Sequence, residues 1–442
     1  MHIHHVNLDA HEATAARAGT RAYAWLVFAL TFGLLLSDYM SRQVLNAVFP
    51  LLKTAWGLSD TQLGSLSGVV ALMVGVLTVP LSVLADRWGR VKSIVLMASL
   101  WSAATLGCAI ATNYGEMLLA RALVGVGEAA YGSVGIALIL SIFPAHLRST
   151  LTGAFMAGGA FGSVFGMALG GVVAVHVGWR WSFGAMACFG IVLVFAYMTI
   201  VTEKRIASQR HGGGVAAATQ VARRPSFRAT LNGLFSTVSV VCAYVGSALQ
   251  LFIMASVLAW MPSFLNRYYG MPADKAAVAA AGFLLLGGIG MIVCGIVTDR
   301  VSKAKPERKW VTAIAYCLIS LVLLGVGFRL QAGALQLVML GAGIFVVAGT
   351  SGPAGAMVAN LTPPTIHAPA FATLTLVNNL LGMAPGPLVT GYIADRIGLP
   401  GALQIVPLAA ALATLMFMIG KRNYQRGMQR VNTLCAAAVA AK

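Results

Sequence analysis

Charge is what this sequence most lacks. Only 10% of its 442 residues are charged while 59% are hydrophobic, and a chain with that balance has too little polar surface to cover a water-soluble fold. Acidic residues are scarcest, 12 against 30 Lys and Arg. Cysteine is rare too. Cys108, Cys188, Cys242, Cys294 and Cys317 fall in apolar runs, where Cys acts as a small hydrophobe, and Cys435 stands alone near the end. Neither a disulfide framework nor a metal site is expected. The eight histidines are scattered, and His2, His4 and His5 read as a solvated tail. No G-x-x-x-x-G-K-[ST] loop is present, which excludes an ATP-driven pump in one chain, and no H-E-x-x-H or G-x-S-x-G pattern points to a hydrolase. No catalytic residue and no organic cofactor are expected. A cleavable leader is not visible either: the first 21 residues carry His, Asp, Glu and Arg, and the first apolar run is too long for a signal core.

What is there is apolar length. A bilayer core needs roughly 20 apolar residues per helical span. Twelve such stretches lie near 22–49, 60–84, 93–112, 116–142, 149–176, 181–201, 232–262, 274–298, 309–329, 333–358, 366–394 and 401–420. The fold class is therefore all-α and membrane-embedded, with twelve transmembrane helices.

The net charge of +18 is placed by topology. Of the 30 Lys and Arg, 22 fall in segments that are cytoplasmic if the N-terminus is inside; six fall outside (Lys53, Arg180, Arg267, Lys275, Arg329, Arg396) and two within spans. That asymmetry is the positive-inside signal. It puts both termini in the cytoplasm and accounts for the basic balance without nucleic acid. The partners expected are the bilayer and a small-molecule or lipid-like substrate, with the chain a monomer.

Residues 203–230 form the one long polar interruption, with Glu203-Lys204-Arg205, Gly212-Gly213-Gly214 and Arg223-Arg224-Pro225, and read as a flexible cytoplasmic linker. The division is a tail at 1–21, a six-helix half at 22–202, the linker, a second half at 231–420 and a tail at 421–442. Twofold-related halves place a substrate site between them near the midplane and rock for alternating access. In span 5, Gly158, Gly162, Gly166 and Gly170 recur every fourth residue as one bare stripe that lets another helix come close. Span 8, with Gly282, Gly287, Gly288, Gly290 and Gly295, is the expected partner across the halves; static packing explains the stripe as well.

Four ionisable groups lie deep in spans: Asp38 and Arg42 in span 1, Arg121 and Glu128 in span 4. An isolated charge there costs roughly 2.5–3.5 kcal/mol on insertion scales, so such groups pair and serve a pathway. Asp38 and Arg42 are four apart, and Arg121 and Glu128 seven apart, so each pair shares a helix face. Protonating Glu128 or Asp38 would release an Arg partner and couple protons to solute movement; a permanent ion-pair network is the alternative. The second half offers Tyr244 and Gln250 in span 7, Thr350 and Ser351 in span 10, and Asn378 and Asn379 in span 11, which bond substrate or each other. Tyr131 in span 4 joins Tyr244, Gln250, Asn378 and Asn379 as cavity candidates.

The charged turn Asp86-Arg87-Trp88-Gly89-Arg90 follows span 2 and reappears, altered, as Asp299-Arg300 after span 8. A carboxylate among basic groups at each place reads as a cytoplasmic latch formed by Asp86, Arg87, Gly89, Arg90, Asp299 and Arg300; a solvated loop is the bland alternative. Ser82-x-x-x-Asp86-Arg87-x-Gly89-Arg90 resembles the loop 2–3 signature of the major facilitator superfamily, and Gly295-x-x-x-Asp299-Arg300 its copy in loop 8–9. Arg121-Ala122-Leu123-Val124-Gly125-Val126-Gly127-Glu128-Ala129 is similar to the superfamily's span 4 signature. Gly57-Leu58-Ser59-Asp60-Thr61-Gln62-Leu63-Gly64 and Gly178-Trp179-Arg180-Trp181-Ser182-Phe183 look closest to the bacterial Spinster-like branch. The resemblance covers essentially the whole chain. It implies a proton-linked carrier in the bacterial inner membrane, with lysolipids, sphingolipids or amphipathic drugs as substrate types, and matches Arg121 and Glu128 to the proton and substrate centre. Span 1 departs from it. Relatives carry Asp just before the Arg where this chain has Ser41, with Asp38 one turn earlier. The antiporter Gly-Pro signature of span 5 is missing, and Gly158-Gly159 stands nearest.

The leading expectation is a secondary transporter for a small organic or amphipathic solute, with protons as coupling ion. Its rival is a proton-coupled importer of organic anions such as aromatic or sugar acids, with Arg42 and Arg121 binding carboxylate. A facilitator without ion coupling, a non-transporting sensor and a polytopic lipid enzyme complete the alternatives.

Overall fold

The computed structural model describes residues 3–203, 205–206, 227–303 and 305–440; most of the linker expected at 203–230 lies outside the described residues. Those residues form helices and short turns, with no strand among them. Eleven helical stretches are long and apolar enough to cross a bilayer. Spans 1 to 6 are Ala22–Trp56, Asp60–Ala85, Arg90–Ile110, Tyr114–Ile142, Arg148–His176 and Trp179–Ile200. Spans 7 to 10 are Val238–Tyr269, Ala273–Ser302, Arg308–Gly327 and Ala334–Asn360. The last stretch, His367–Thr433, is 67 residues long, about 100 Å if straight and far more than one bilayer needs. Gly398 breaks it with a φ of 80°, separating span 11 (367–397) from span 12 (399–433). Twelve crossings result, as expected, and both chain ends emerge on one face, the terminal face.

The buried apolar residues show how the halves meet. Toward the face opposite the termini a single core draws on both halves, with Val44, Phe49, Leu63 and Phe183 from the first and Ile253, Trp260, Ala277 and Leu403 from the second. Toward the terminal face the core divides. Trp101, Tyr131 and Phe155 belong to a cluster made only of the first half, and Trp310, Met357 and Phe417 to one made only of the second. The two bundles are joined at one end and parted at the other.

Glycine stripes set the closest approaches, though not where expected. A side chain at Gly158 would begin 2.9 Å from the ring of Phe32, at Gly166 2.5 Å from the Met40 backbone and at Gly170 2.7 Å from Val44; Gly162 meets Leu36. All four partners lie on span 1, so the stripe seats span 5 inside its own half. The glycines of span 8 are likewise not its partners: Gly287 faces Met254 of span 7, Gly290 faces Phe345 of span 10, and Gly282, Gly288 and Gly295 face open space. Spans 5 and 8 do meet across the halves, by the adjacent face, where Gly171 abuts Ala277. A one-residue change rotates a helix about 100°, which suffices to hand each partner its own face.

Candidate functional site

Span 4 is wedged between spans 2 and 3 by two small residues. A side chain at Gly125 would meet Val70 and Met73 of span 2, and one at Gly127 would meet Trp101 of span 3 at 2.7 Å. The intervening face carries Arg121 and Glu128 to span 1. The helix ends at Glu128 and resumes at Tyr131. Thr78 donates its hydroxyl to the freed carbonyl of Ala129 at 2.8 Å, so the break is satisfied and not frayed.

The four charges of the first half come together there, in unequal roles. Arg121 is 1% exposed and its guanidinium donates to backbone carbonyls: to Ser41 at 2.9 Å, Arg42 at 3.4 Å and Leu66 at 3.4 Å. It braces span 4 against spans 1 and 2. Arg42 forms the ion pair instead, its Nε 3.2 Å from Oε2 of Glu128, off the line of a true hydrogen bond. The Arg42 side chain keeps 17% of its surface accessible against 2% for that of Glu128, which makes it the reachable cation of the cluster. Asp38, buried one turn before Arg42, lies against Glu128. Neither its Oδ1 nor either Glu128 oxygen receives a hydrogen bond among the described residues. Tyr39 was not singled out from the sequence. Its ring lies 5.7 Å from the Arg42 guanidinium carbon and packs on Gly159; its place three residues before Arg42, and hence on the same face, was the available signal.

The uncharged candidates are dispersed. Tyr131 is wholly buried, donates to Thr31 O at 2.6 Å and packs edge-on against Trp101. Tyr244 is buried with its hydroxyl unpartnered among the described residues, and Gln250 is 1% exposed with both amide atoms likewise unpartnered. Span 11 winds into a π-turn over Asn378–Met383, a feature common at functional sites. Asn379 Nδ2 donates to Thr375 O at 2.9 Å, and Asn378 Oδ1 is buried without a donor among the described residues. Gly382 sets this turn against Ala248 and Leu251 of span 7, beside Gln250.

At the terminal face, Gly89 joins spans 2 and 3 with a φ of 97°. Glu203 accepts from Val91 N at 3.0 Å, and Arg90 Nη1 donates to Ala137 O at 3.0 Å. Arg87, Asp299 and Arg300 are exposed, and the side chain of Asp86 lies outside the described residues. Among the described residues no ion pair joins the two turns.

Two six-helix bundles, closed together at one end and parted at the other around a buried ionic cluster, define a polytopic carrier of the alternating-access kind. The chain belongs to the major facilitator superfamily, whose family model matches residues 31–387, and it is a transporter, not an enzyme. It is similar to the gallate transporter of Pseudomonas putida, 27% identical over 90% of this chain and 92% of that one. It is also similar to the hexuronate transporter of Bacillus subtilis (strain 168), 24% identical over 87% and 93%, and to protein spinster homolog 1 of Homo sapiens, 26% identical over 84% and 73%. A solved bacterial homolog of the human lysosomal transporter Spinster, inward-facing and unoccupied, shares the fold with a TM-score of 0.80 at 17% identity, over 92% of this chain and 98% of that one.

Proposed function

We propose that this transporter carries an organic acid together with a proton, taking the substrate carboxylate on Arg42 in place of Glu128. The observation that carries this reading is the unequal exposure of the two arginines. Arg121 is buried with its donors on three carbonyls, whereas Arg42 is reachable and held by one ion pair. A carboxylate arriving at Arg42 must displace Glu128, and a displaced, buried Glu128 is neutral only if it takes a proton. Proton and anion therefore bind together, and the loaded site keeps the charge of the empty one. Asp38 adjoins Glu128 closely enough for the two carboxyls to share that proton, and it stands in for the Asp that relatives carry at the place of Ser41. Tyr39, beside the guanidinium, offers a ring and a hydroxyl to an aromatic or sugar acid. The gallate and hexuronate transporters among the relatives fit this substrate class. The distribution of Lys and Arg supports a cytoplasmic terminal face, and the bacterial relatives support a location in a bacterial inner membrane.

The test is uptake of radiolabelled gallate and glucuronate into proteoliposomes under an imposed pH gradient. Accumulation by the wild-type protein driven by acid outside, and lost in Arg42→Ala, is expected; uptake that survives Arg42→Ala rejects the site. A second reading, a lipid-like solute, has its own observation. An apolar groove of about 670 Å³ runs between spans 8 and 10, lined by Gly282, Phe283, Leu286, Gly341 and Phe345 among others. Lysolipid transport without acid transport in the same vesicles would favour it.

A further inference from the structure

The segment Gly57–Gly64, conspicuous in the sequence, takes no part in the ionic cluster of spans 1 and 4. It forms the turn into span 2 on the face away from the termini, and there it meets the second half. Asp60 is 3% exposed. Its carboxylate takes a forked pair of bonds from Arg267 of span 7, at 2.9 and 2.8 Å, and a further bond from Lys53 at 2.6 Å. The backbone of the same turn is held from the other side. Asp395, near the end of span 11, accepts Asp60 N at 2.7 Å and Thr61 N at 2.8 Å and also takes the Thr61 hydroxyl. These amides open the first turn of span 2, where a helix has no partners of its own and favours negative charge. The remaining donor of that end is closed locally, since Ser59 and Gln62 cap each other.

The packing beneath allows no slack. Gly391, one turn before Asp395, lies against the Asp60 backbone, and a side chain there would also begin 3.0 Å from Trp260. Trp260 Nε1 donates to Pro387 O at 3.0 Å and its ring tilts against Phe49 of span 1 at 5.2 Å. Two acids and two bases, two from each half, thus interlock at the one face where the bundles share a core. Among the described residues no comparable ion pair crosses between the halves at the terminal face.

The geometry points to Asp60 and Asp395 as the positioning residues of an outer lock that holds the protein in its inward-open state and must release for the outer face to open. The Arg267–Asp60 fork, the three bonds of Asp395 to the Asp60–Thr61 turn and the Phe49–Trp260 contact cross from spans 1 and 2 to spans 7 and 11, while Lys53 and the Ser59–Gln62 cap order that turn from within the first half. Rocking the halves about the midplane breaks the crossing contacts in one movement. The lock requires nothing of the substrate and nothing of Glu128, so it stands apart from the proton-linked reading.

Pulsed electron paramagnetic resonance tests it without substrate or proton gradient. Spin labels at Ala55→Cys and Gln331→Cys, exposed residues of opposite halves on this face, report its opening in a background free of native cysteine. Asp395→Ala removes three charge-assisted bonds and should raise the population of longer distances relative to the wild type by about tenfold or more. Asp60→Asn should act in the same direction, and Thr61→Val, which removes one hydroxyl alone, should give a smaller rise. Gly391→Leu, a wedge at the same seam, should open the face with every charge intact. An unchanged distance distribution in monodisperse Asp395→Ala and Asp60→Asn protein overturns the lock. If either of those variants fails to fold, an unchanged distribution in both Thr61→Val and Gly391→Leu overturns it equally.

Discussion

Replacing Glu128 with Gln removes one charge from the cluster and leaves Arg42 without its counter-ion. At the observed separation of 3.2 Å, the Coulomb attraction between the two is roughly 5 kcal/mol at an effective dielectric of about 20. Most of that offsets desolvation, and the net worth of one charge-assisted contact is about 1.5–3 kcal/mol. A substrate carboxylate competing for Arg42 has to overcome that net term in the wild type and not in Glu128→Gln. At about 1.4 kcal/mol per factor of ten, the variant should bind the acid about tenfold or more tightly. The pH dependence follows with its sign. Anion binding takes up a proton on Glu128, so wild-type affinity rises as pH falls, with a slope of at most about one decade per pH unit. The variant, already neutral at this position, should be flat across the same range. Isothermal titration or scintillation binding with gallate and glucuronate between pH 5.5 and 8.5 measures both quantities. Binding to Glu128→Gln that is weaker than wild type, or that keeps the wild-type slope, refutes the competition between Glu128 and substrate.

Two further outcomes are expected. Arg121→Lys trades a planar fork on three carbonyls for a single rotatable point charge; it should lower thermal stability by about 2–4 kcal/mol equivalents, more than Arg42→Lys does, as read by intrinsic fluorescence melting in detergent. Gly166→Val drives two methyl groups into the Met40 backbone, and the separation it forces between spans 1 and 5 should destabilise by about 1–3 kcal/mol. A Gly166→Val melt equal to wild type would show that the stripe is not under close contact.

The twelve spans and the two-half plan are legible in the sequence because length and apolarity are properties of a line of residues. Burial of Asp38, Arg42, Arg121 and Glu128 in one place is legible for the same reason: charge inside a span has few ways to be solvated. Which arginine pairs with Glu128 is not. The partners of Arg121 are the carbonyls of Ser41, Arg42 and Leu66, and a backbone acceptor leaves no mark on residue identity. The glycine stripe announces a close approach without naming the neighbour, and span 1 rather than span 8 fills it. Asp395 and Thr61 meet across more than three hundred residues, with only a loop motif at one end to suggest that anything binds there. The break after Glu128 is equally silent, since Ala129 and Ala130 carry no breaker signal and Thr78 supplies the closure from another helix.

The π-turn of span 11 sets a phase. Asn379 and Ala384 both face span 2, against Gly75 and Gly68 respectively, yet they are five residues apart. On a regular α-helix five residues advance about 140° beyond a full turn, and the two would look in different directions. The wider loop, closed by Ala384 N on Asn379 O at 2.9 Å, takes up the surplus and brings both onto one line. Beyond it, Ala384, Pro387, Gly391 and Asp395 continue along span 2 with ordinary spacing. One inserted residue thus lets a single rod keep the midplane amide of Asn379 and its rim carboxylate in register with the same neighbour.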